Sequence, residues 1–200
     1  MSKPTLYLSF DVETDGPTPL VNNLLSIGII GLEENTSNIV FEYESNIIPL
    51  DTHKSDTQCM ETFWLKPEQK NAWDKLQINQ KNYLTVFEDL SLELKKLSLK
   101  YKIIWVAFPA CFDWMFLKSY YELAKSNSPN GNNFYDIGFK CNCASTLLDF
   151  YKKKNNLTSK ETYKLFYELC DFDPKENHIA ISDAKVQGKF YINLIKKMLN

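Results

Sequence analysis

From Leu6 to Glu13 the chain alternates strictly, with Leu6, Leu8, Phe10 and Val12 on one side and Tyr7, Ser9, Asp11 and Glu13 on the other. A period of two is that of a β-strand, and it sets the two carboxylates side by side on one face. The turn Asp15-Gly16-Pro17 closes the strand directly after them. Asp and Glu are poor strand formers. Finding both in a regular strand favours a functional pair over a polar strand face with two solvated acids.

The rest of the chain builds around that strand. Leu24 to Leu32 reads as a second strand and Asn38 to Ile48 as a third, with Glu33-Glu34-Asn35 as the turn between them. Pro67 opens a helix to about Leu76. Leu84, Phe87, Leu90, Leu94 and Leu97 recur at helical spacing within Tyr83 to Leu99. Ile103 to Phe108 is a continuous apolar run, as in a strand covered on both faces, and Pro109 ends it. Phe112, Phe116 and Leu123 then form one stripe of a helix. A short strand is expected at Phe139 to Asn142, with helices near Ser145 to Lys153 and Lys160 to Leu169. A last helix carries Ala184, Gln187, Tyr191, Leu194, Ile195 and Met198 on one side. No repeat or linker divides the chain, so residues 1–200 are read as one α/β domain. Its sheet is mixed and five-stranded, a three-strand antiparallel meander plus two further strands, flanked by helices.

Charge narrows the function. The net charge is −2, and all of the 23 basic residues are lysine. That argues against an arginine-built phosphate clamp and against duplex binding driven by a broad basic surface. Nucleic acid stays open, because a site holding two divalent cations brings its own positive charge to a phosphate. The five cysteines, an odd count with no secretory leader, fit reduced thiols in a cytoplasmic protein. Cys141-Asn142-Cys143 lacks the spacing of a zinc pair. The longest apolar run, Leu24 to Leu32, is broken by Ser26, Gly28 and Gly31. It falls well short of the roughly 20 residues that cross a bilayer, so a soluble protein without a membrane partner is expected.

Three further positions carry chemistry. Asp113 sits in the first turn of the helix after the apolar strand, where a carboxylate also suits the helix macrodipole. Asp183 lies in the first turns of the last helix, where an ordinary capping acid is the alternative. His178 immediately precedes that helix, five residues before Asp183. A neutral imidazole with a pKa near about 6.5 is suited to accepting a proton from an activated water. His53, among polar residues, reads as a surface histidine. Phe63 and Trp64 are candidates for stacking on a base, with core packing as the alternative.

Taken together, Phe10-Asp11-Val12-Glu13-Thr14, then Ala107 to Leu117 around Phe112-Asp113-Trp114, then His178-Ile179-Ala180-Ile181-Ser182-Asp183-Ala184 with Gln187, resemble the three motifs of the DEDDh exonuclease superfamily. The likeness is strongest to small stand-alone members such as oligoribonuclease and RNase T relatives. The resemblance implies an RNase H-like fold and a 3′-to-5′ exonuclease acting on single-stranded RNA or DNA. It implies that Asp11, Glu13, Asp113 and Asp183 hold two divalent cations, Mg²⁺ or Mn²⁺, and that His178 is the general base. Thr14 would contact the terminal nucleotide through its backbone, with Phe63 and Trp64 nearby. It leaves room for a homodimer, as in some small relatives. Pro109 stands where many relatives carry an Asn, which bears on substrate preference more than on catalysis. A binding or scaffold module without cleavage activity is the second reading, and the five filled positions count against it. An endonuclease is the third, and the histidine motif counts against that.

Overall fold

The computed structural model describes residues 3–170, 172–173 and 176–199. Strand β1 (Thr5–Thr14) is the middle strand of five. It pairs antiparallel with β2 (Leu24–Glu33), which pairs antiparallel with β3 (Ile39–Asn46), completing the expected meander. On its other side β1 pairs in parallel with β4 (Lys102–Ala107), and β4 in parallel with the short β5 (Cys141–Cys143). The order is β3-β2-β1-β4-β5. The helices are α1 (Thr57–Cys59), α2 (Lys70–Leu76), α3 (Tyr83–Lys100), α4 (Ala110–Asn127), α5 (Ala144–Lys154), α6 (Ser159–Leu169) and α7 (Ala180–Leu199). Among the described residues no helix is long and apolar enough to cross a membrane.

The alternation in β1 sorts the two cores. Leu6, Leu8, Phe10 and Val12 point to α3 and α4 and pack with Phe87, Leu90, Leu94, Phe116 and Leu117. Tyr7 points the other way, into a second core with Ile30, Leu32, Val106, Phe190 and Leu194 under α5, α6 and α7. Full burial of side chains of this size stabilises by about 1.5–3 kcal/mol each. Asp11 and Glu13 share the parity of Tyr7, so the packing that seats α7 on β1 and β2 also directs both carboxylates toward it.

Two glycines set how close α7 comes. A Cβ on Gly28 would lie 2.2 Å from the Ile181 nitrogen, and one on Gly188 would lie 2.7 Å from the Ser9 Cβ. Gly28 is the register partner of Asp11. The start of α7 therefore rests on the sheet opposite the first acid, which places Asp183 beside the β1 pair.

Three expectations are corrected and one unannounced segment is added. Leu123 is not on the buried stripe of α4; it is exposed, and the stripe runs through Asp113, Phe116, Leu117, Tyr120, Tyr121 and Ala124. The two tyrosines belong there because their hydroxyls find partners inside. Tyr120 accepts from the Leu24 N–H at 3.1 Å, and Tyr121 donates to the Tyr135 carbonyl at 2.7 Å. Between β3 and Pro67 the structure has a helical segment the periodicity does not announce. It comprises α1, capped by the Asp56 carboxylate on the Cys59 N–H, and a wide turn at Met60–Trp64. The short strand begins at Cys141, and Phe139 is 91% exposed. His53 is half-buried, with Nδ1 3.0 Å from the Asn22 carbonyl and 3.1 Å from the Tyr120 hydroxyl.

Candidate active site

Asp11 and Glu13 come from the carboxyl end of β1, Asp113 from the first turn of α4, Asp183 from the first turn of α7 and His178 from just before it. Parallel pairing of β1 with β4 is what brings Asp113 in, because β4 ends one residue past the Ser9–Val106 pair, just short of Asp11, and α4 starts there. Asp113 is 3% exposed and Glu13 7% exposed. Ligand atoms of Glu13, His178 and Asp183 all lie within 4.8 Å of one another.

Each acid is held differently. Asp11 Oδ1 accepts from the Gln187 amide at 2.7 Å. Asp113 Oδ1 accepts from the Val12 N–H at 3.3 Å, which ties α4 to β1 between the two strand acids. Asp183 Oδ2 accepts from the His178 N–H at 2.8 Å. The histidine and carboxylate five residues apart are thus joined through the backbone, with His178 at a φ of 60°. That left-handed turn leaves the imidazole free to point into the site. Asn177 Nδ2 donates to His178 Nε2 at 2.7 Å, and the ring of Phe63 stands edge-on to it at 4.8 Å between centroids.

The electrostatics are those of an anionic cluster without a counter-charge. None of the five ion pairs among the described residues involves Asp11, Glu13, Asp113 or Asp183. Burial pushes Asp11 well above the ordinary carboxylate range, and the charges of Asp113, Glu13 and Asp183 push it further, with the Gln187 bond opposing. Burial, then Asp183 and Asp113, does the same to Glu13. Burial lifts Asp113 to about 7 against its Val12 bond, and Asp183 to about 6 against its His178 bond. Burial lowers His178, which favours the neutral ring at neutral pH. Among the described residues Asp113 Oδ2 has no hydrogen-bond partner, nor does the Gln187 Oε1. An unpartnered buried carboxylate oxygen inside a group of like charges is costly. A hard divalent cation, which takes oxygen ligands, answers that cost, so the donor set fits such an ion.

The three remaining candidates fall in different places. Thr14 is buried; its hydroxyl donates to the Gly16 carbonyl at 2.9 Å and its carbonyl accepts from the Trp64 indole at 2.8 Å. Trp64 is 2% exposed, with Phe63 edge-on to it and Trp73 tilted against it, so it is a packing residue that shapes the Thr14 turn, not a platform for a base. Phe63 is half-buried and borders His178. Sequence reasoning passed over Asp15, which is 2% exposed and binds Asn23 and Ser55, locking the turn after the acids. The turn signal Asp15-Gly16-Pro17 marked its place but not its partners. Beside His178 opens a cavity of about 660 Å³, bordered by Ser26, Asn46, Lys75, Lys81 and Ser182, with the four acids outside it.

This mixed sheet with helices on both faces is an RNase H-like α/β fold, the fold of the solved exonucleases to which the chain is similar. Among solved structures the chain is similar to a 3′-exonuclease caught in 3′-end-specific recognition of a histone mRNA stem-loop. The identity is 15%, the TM-score 0.64, and the match covers 98% of this chain and 84% of that one. It is also similar to the nuclease domain of 3′hExo, a DEDDh family member, bound to rAMP. There the identity is 14%, the TM-score 0.59, and 98% of this chain matches 93% of that domain. A complex of Escherichia coli exonuclease I with single-stranded DNA follows at 12% identity and a TM-score of 0.63, where 98% of this chain spans 41% of the enzyme. No protein-family model and no curated relative matches the sequence.

Proposed function

We propose that the chain is a metal-dependent 3′-to-5′ exonuclease, with residues 1–200 as its single exonuclease domain, releasing nucleoside 5′-monophosphates from single-stranded RNA or DNA. One observation carries this reading. Four acids from three distant segments converge, Glu13 and Asp113 buried and Asp11 and Asp183 half-buried, and among the described residues none of them is ion-paired and one carboxylate oxygen, Asp113 Oδ2, has no hydrogen-bond partner. Asp11, Glu13, Asp113 and Asp183 would hold two divalent cations, Mg²⁺ or Mn²⁺. When bound, such cations supply an activated water and charge stabilisation at the leaving oxygen. The fold shared with solved exonucleases supports nucleic acid as the substrate class.

The chain's own groups divide the rest of the work. His178, favoured as the neutral ring by burial and held by Phe63 and its backbone bond to Asp183, would accept the proton of the attacking water at Nε2, the lone-pair nitrogen that the Asn177 amide occupies until substrate enters. Gln187 orients Asp11 and keeps its carboxyl more acidic than burial alone would leave it. Trp64 fixes the Thr14 carbonyl, and with it the turn that follows the acid pair. Phe63, edge-on to His178, is the ring this reading assigns to the terminal base.

The test is a time course on matched 3′-labelled and 5′-labelled RNA and DNA oligomers, with Mg²⁺, with Mn²⁺ and with EDTA. Stepwise shortening from the 3′ end that EDTA or Asp113→Ala abolishes is the expected result. His178→Ala should slow it by about 10²–10⁴-fold. Cleavage of a circular substrate, or calorimetry showing no Mn²⁺ uptake, would overturn the proposal.

A further inference from the structure

We propose that the groove between α5 and α6 is a track for single-stranded nucleic acid, with bases stacking on Tyr163 and Tyr167 and phosphates meeting the lysines beside them. The direction of the strand along it rests on the exonuclease reading; binding itself does not.

A ladder of rings runs from the core to the surface here. Phe166 packs on Phe190 at 4.8 Å and on Phe108 at 5.8 Å between centroids. Tyr167 continues it at 5.5 Å, and Tyr163 lies 4.5 Å beyond, the two hydroxyls bonded at 2.9 Å. Tyr163 is 66% and Tyr167 37% exposed, yet each is braced by its neighbour. Rigid, half-open rings of this kind offer faces that any base can stack on. Phe108, Leu148, Lys152, Tyr163, Phe166 and Tyr167 line a groove of about 360 Å³. Lys152 also walls a neighbouring hollow of about 430 Å³ together with Asp149, Lys153, Asn156 and Leu157.

Charge identifies the occupant. Lys152, Lys153, Lys154, Lys160 and Lys164 concentrate on these two helices in a chain of net charge −2. Against these five lysines the two helices carry three acids, Asp149, Glu161 and Glu168, which leaves an excess of two positive charges, and Glu161 is bonded to Thr158 in a helix cap. Lys164 reaches Glu168 only at 3.6 Å in an exposed pair. A polyanion neutralises such a cluster, whereas a two-fold dimer through this face would set lysines against lysines. Position agrees with charge. Phe108, the inner rung, follows β4 directly, and β4 runs parallel to β1, so the ladder starts at the same edge of the sheet as Asp11, Glu13 and Asp113.

The test measures binding of fluorescent 4-mer and 16-mer single strands by anisotropy, with the full chain in EDTA, so that cleavage does not enter. The 16-mer should weaken by roughly tenfold or more in the Tyr163→Ala/Tyr167→Ala double variant, since a base stacked on an aromatic ring contributes on that order. Tyr163→Phe/Tyr167→Phe should keep the affinity. Lys152→Glu/Lys153→Glu should reduce the salt dependence by roughly 0.7 per lost phosphate contact, and Lys96→Glu on α3 should not. Photocrosslinks from thiouridine-bearing 16-mers should map to α5 and α6. If the double alanine variant bound as wild type, or crosslinks fell elsewhere, the track would be wrong. A dimer that dissociates in the tyrosine variants would assign the face to a second copy and also overturn it. Tyrosine-sensitive binding without cleavage would sink the exonuclease reading and leave the track standing; cleavage with tyrosine-insensitive binding would do the reverse.

Discussion

Replacing Asp113 with Asn in the cation-free protein tests the electrostatic account of the site directly. Asn keeps the shape and can still accept the Val12 N–H, but it removes one charge from the cluster. Burial raises the Asp113 carboxyl from 3.8 to about 7 in the folded chain. A folded pKa above the unfolded one means that the folded state prefers the proton, so stability is complete below about pH 4 and is lost as the pH climbs to about 7. At about 1.4 kcal/mol per pH unit, the full loss is on the order of 4 kcal/mol above pH 7, and on the order of 1 kcal/mol at pH 4.5. The carboxyls of Asp11 and Glu13 rise in the same direction, so the whole cluster adds to the trend. Urea unfolding in EDTA at both pH values is the assay. Wild type should lose stability between pH 4.5 and pH 8, and Asp113→Asn should be flatter and the more stable of the two at pH 8. Mn²⁺ at about 100 times its Kd should return about 2.7 kcal/mol to wild type, and much less to the variant. A wild-type protein equally stable at both pH values without cations, or a variant no more stable at pH 8, would refute the idea that unneutralised charge is stored here.

Two further perturbations probe how the site is assembled. Gly28→Ala should push the start of α7 off the sheet, because the new methyl would sit 2.2 Å from the Ile181 nitrogen. Overpacking of this kind costs about 1–3 kcal/mol, and exonuclease activity should fall at least tenfold as Asp183 and His178 retreat; unchanged kcat and unchanged urea midpoint would contradict the close-approach argument. Gln187→Leu removes the bond that restrains Asp11, so the Asp11 carboxyl should rise further and the acid limb of the pH–rate profile should move to higher pH. A limb that stays in place would show that Gln187 does not tune the acid.

Much of this protein was legible from local pattern. Alternation in Leu6 to Glu13 named the strand, its two faces and the side on which both acids lie, because strand geometry leaves no other choice. The helical spacing from Leu84 to Leu97 placed α3, and the apolar run after Lys102 placed β4. Where polar atoms change a residue's allegiance, pattern failed. Tyr120 and Tyr121 are core residues only because Leu24 and Tyr135 supply partners, and Trp64 is buried only because the Thr14 carbonyl receives its indole. The short helical stretch before Trp64 had no periodicity to read, since its ring contacts, not a repeating apolar face, hold it in place.

The sequence by itself determined which residue types could perform metal chemistry, on which elements they ride and in what order, since those follow from covalent spacing and backbone period. Tertiary structure alone decided that they meet. Parallel pairing of β1 with β4 brought Asp113 alongside Val12, and the bare backbones at Gly28 and Gly188 let α7 descend far enough to deliver Asp183. The same convergence set the charge states, because burial beside like charges is a property of three-dimensional proximity that no single segment carries.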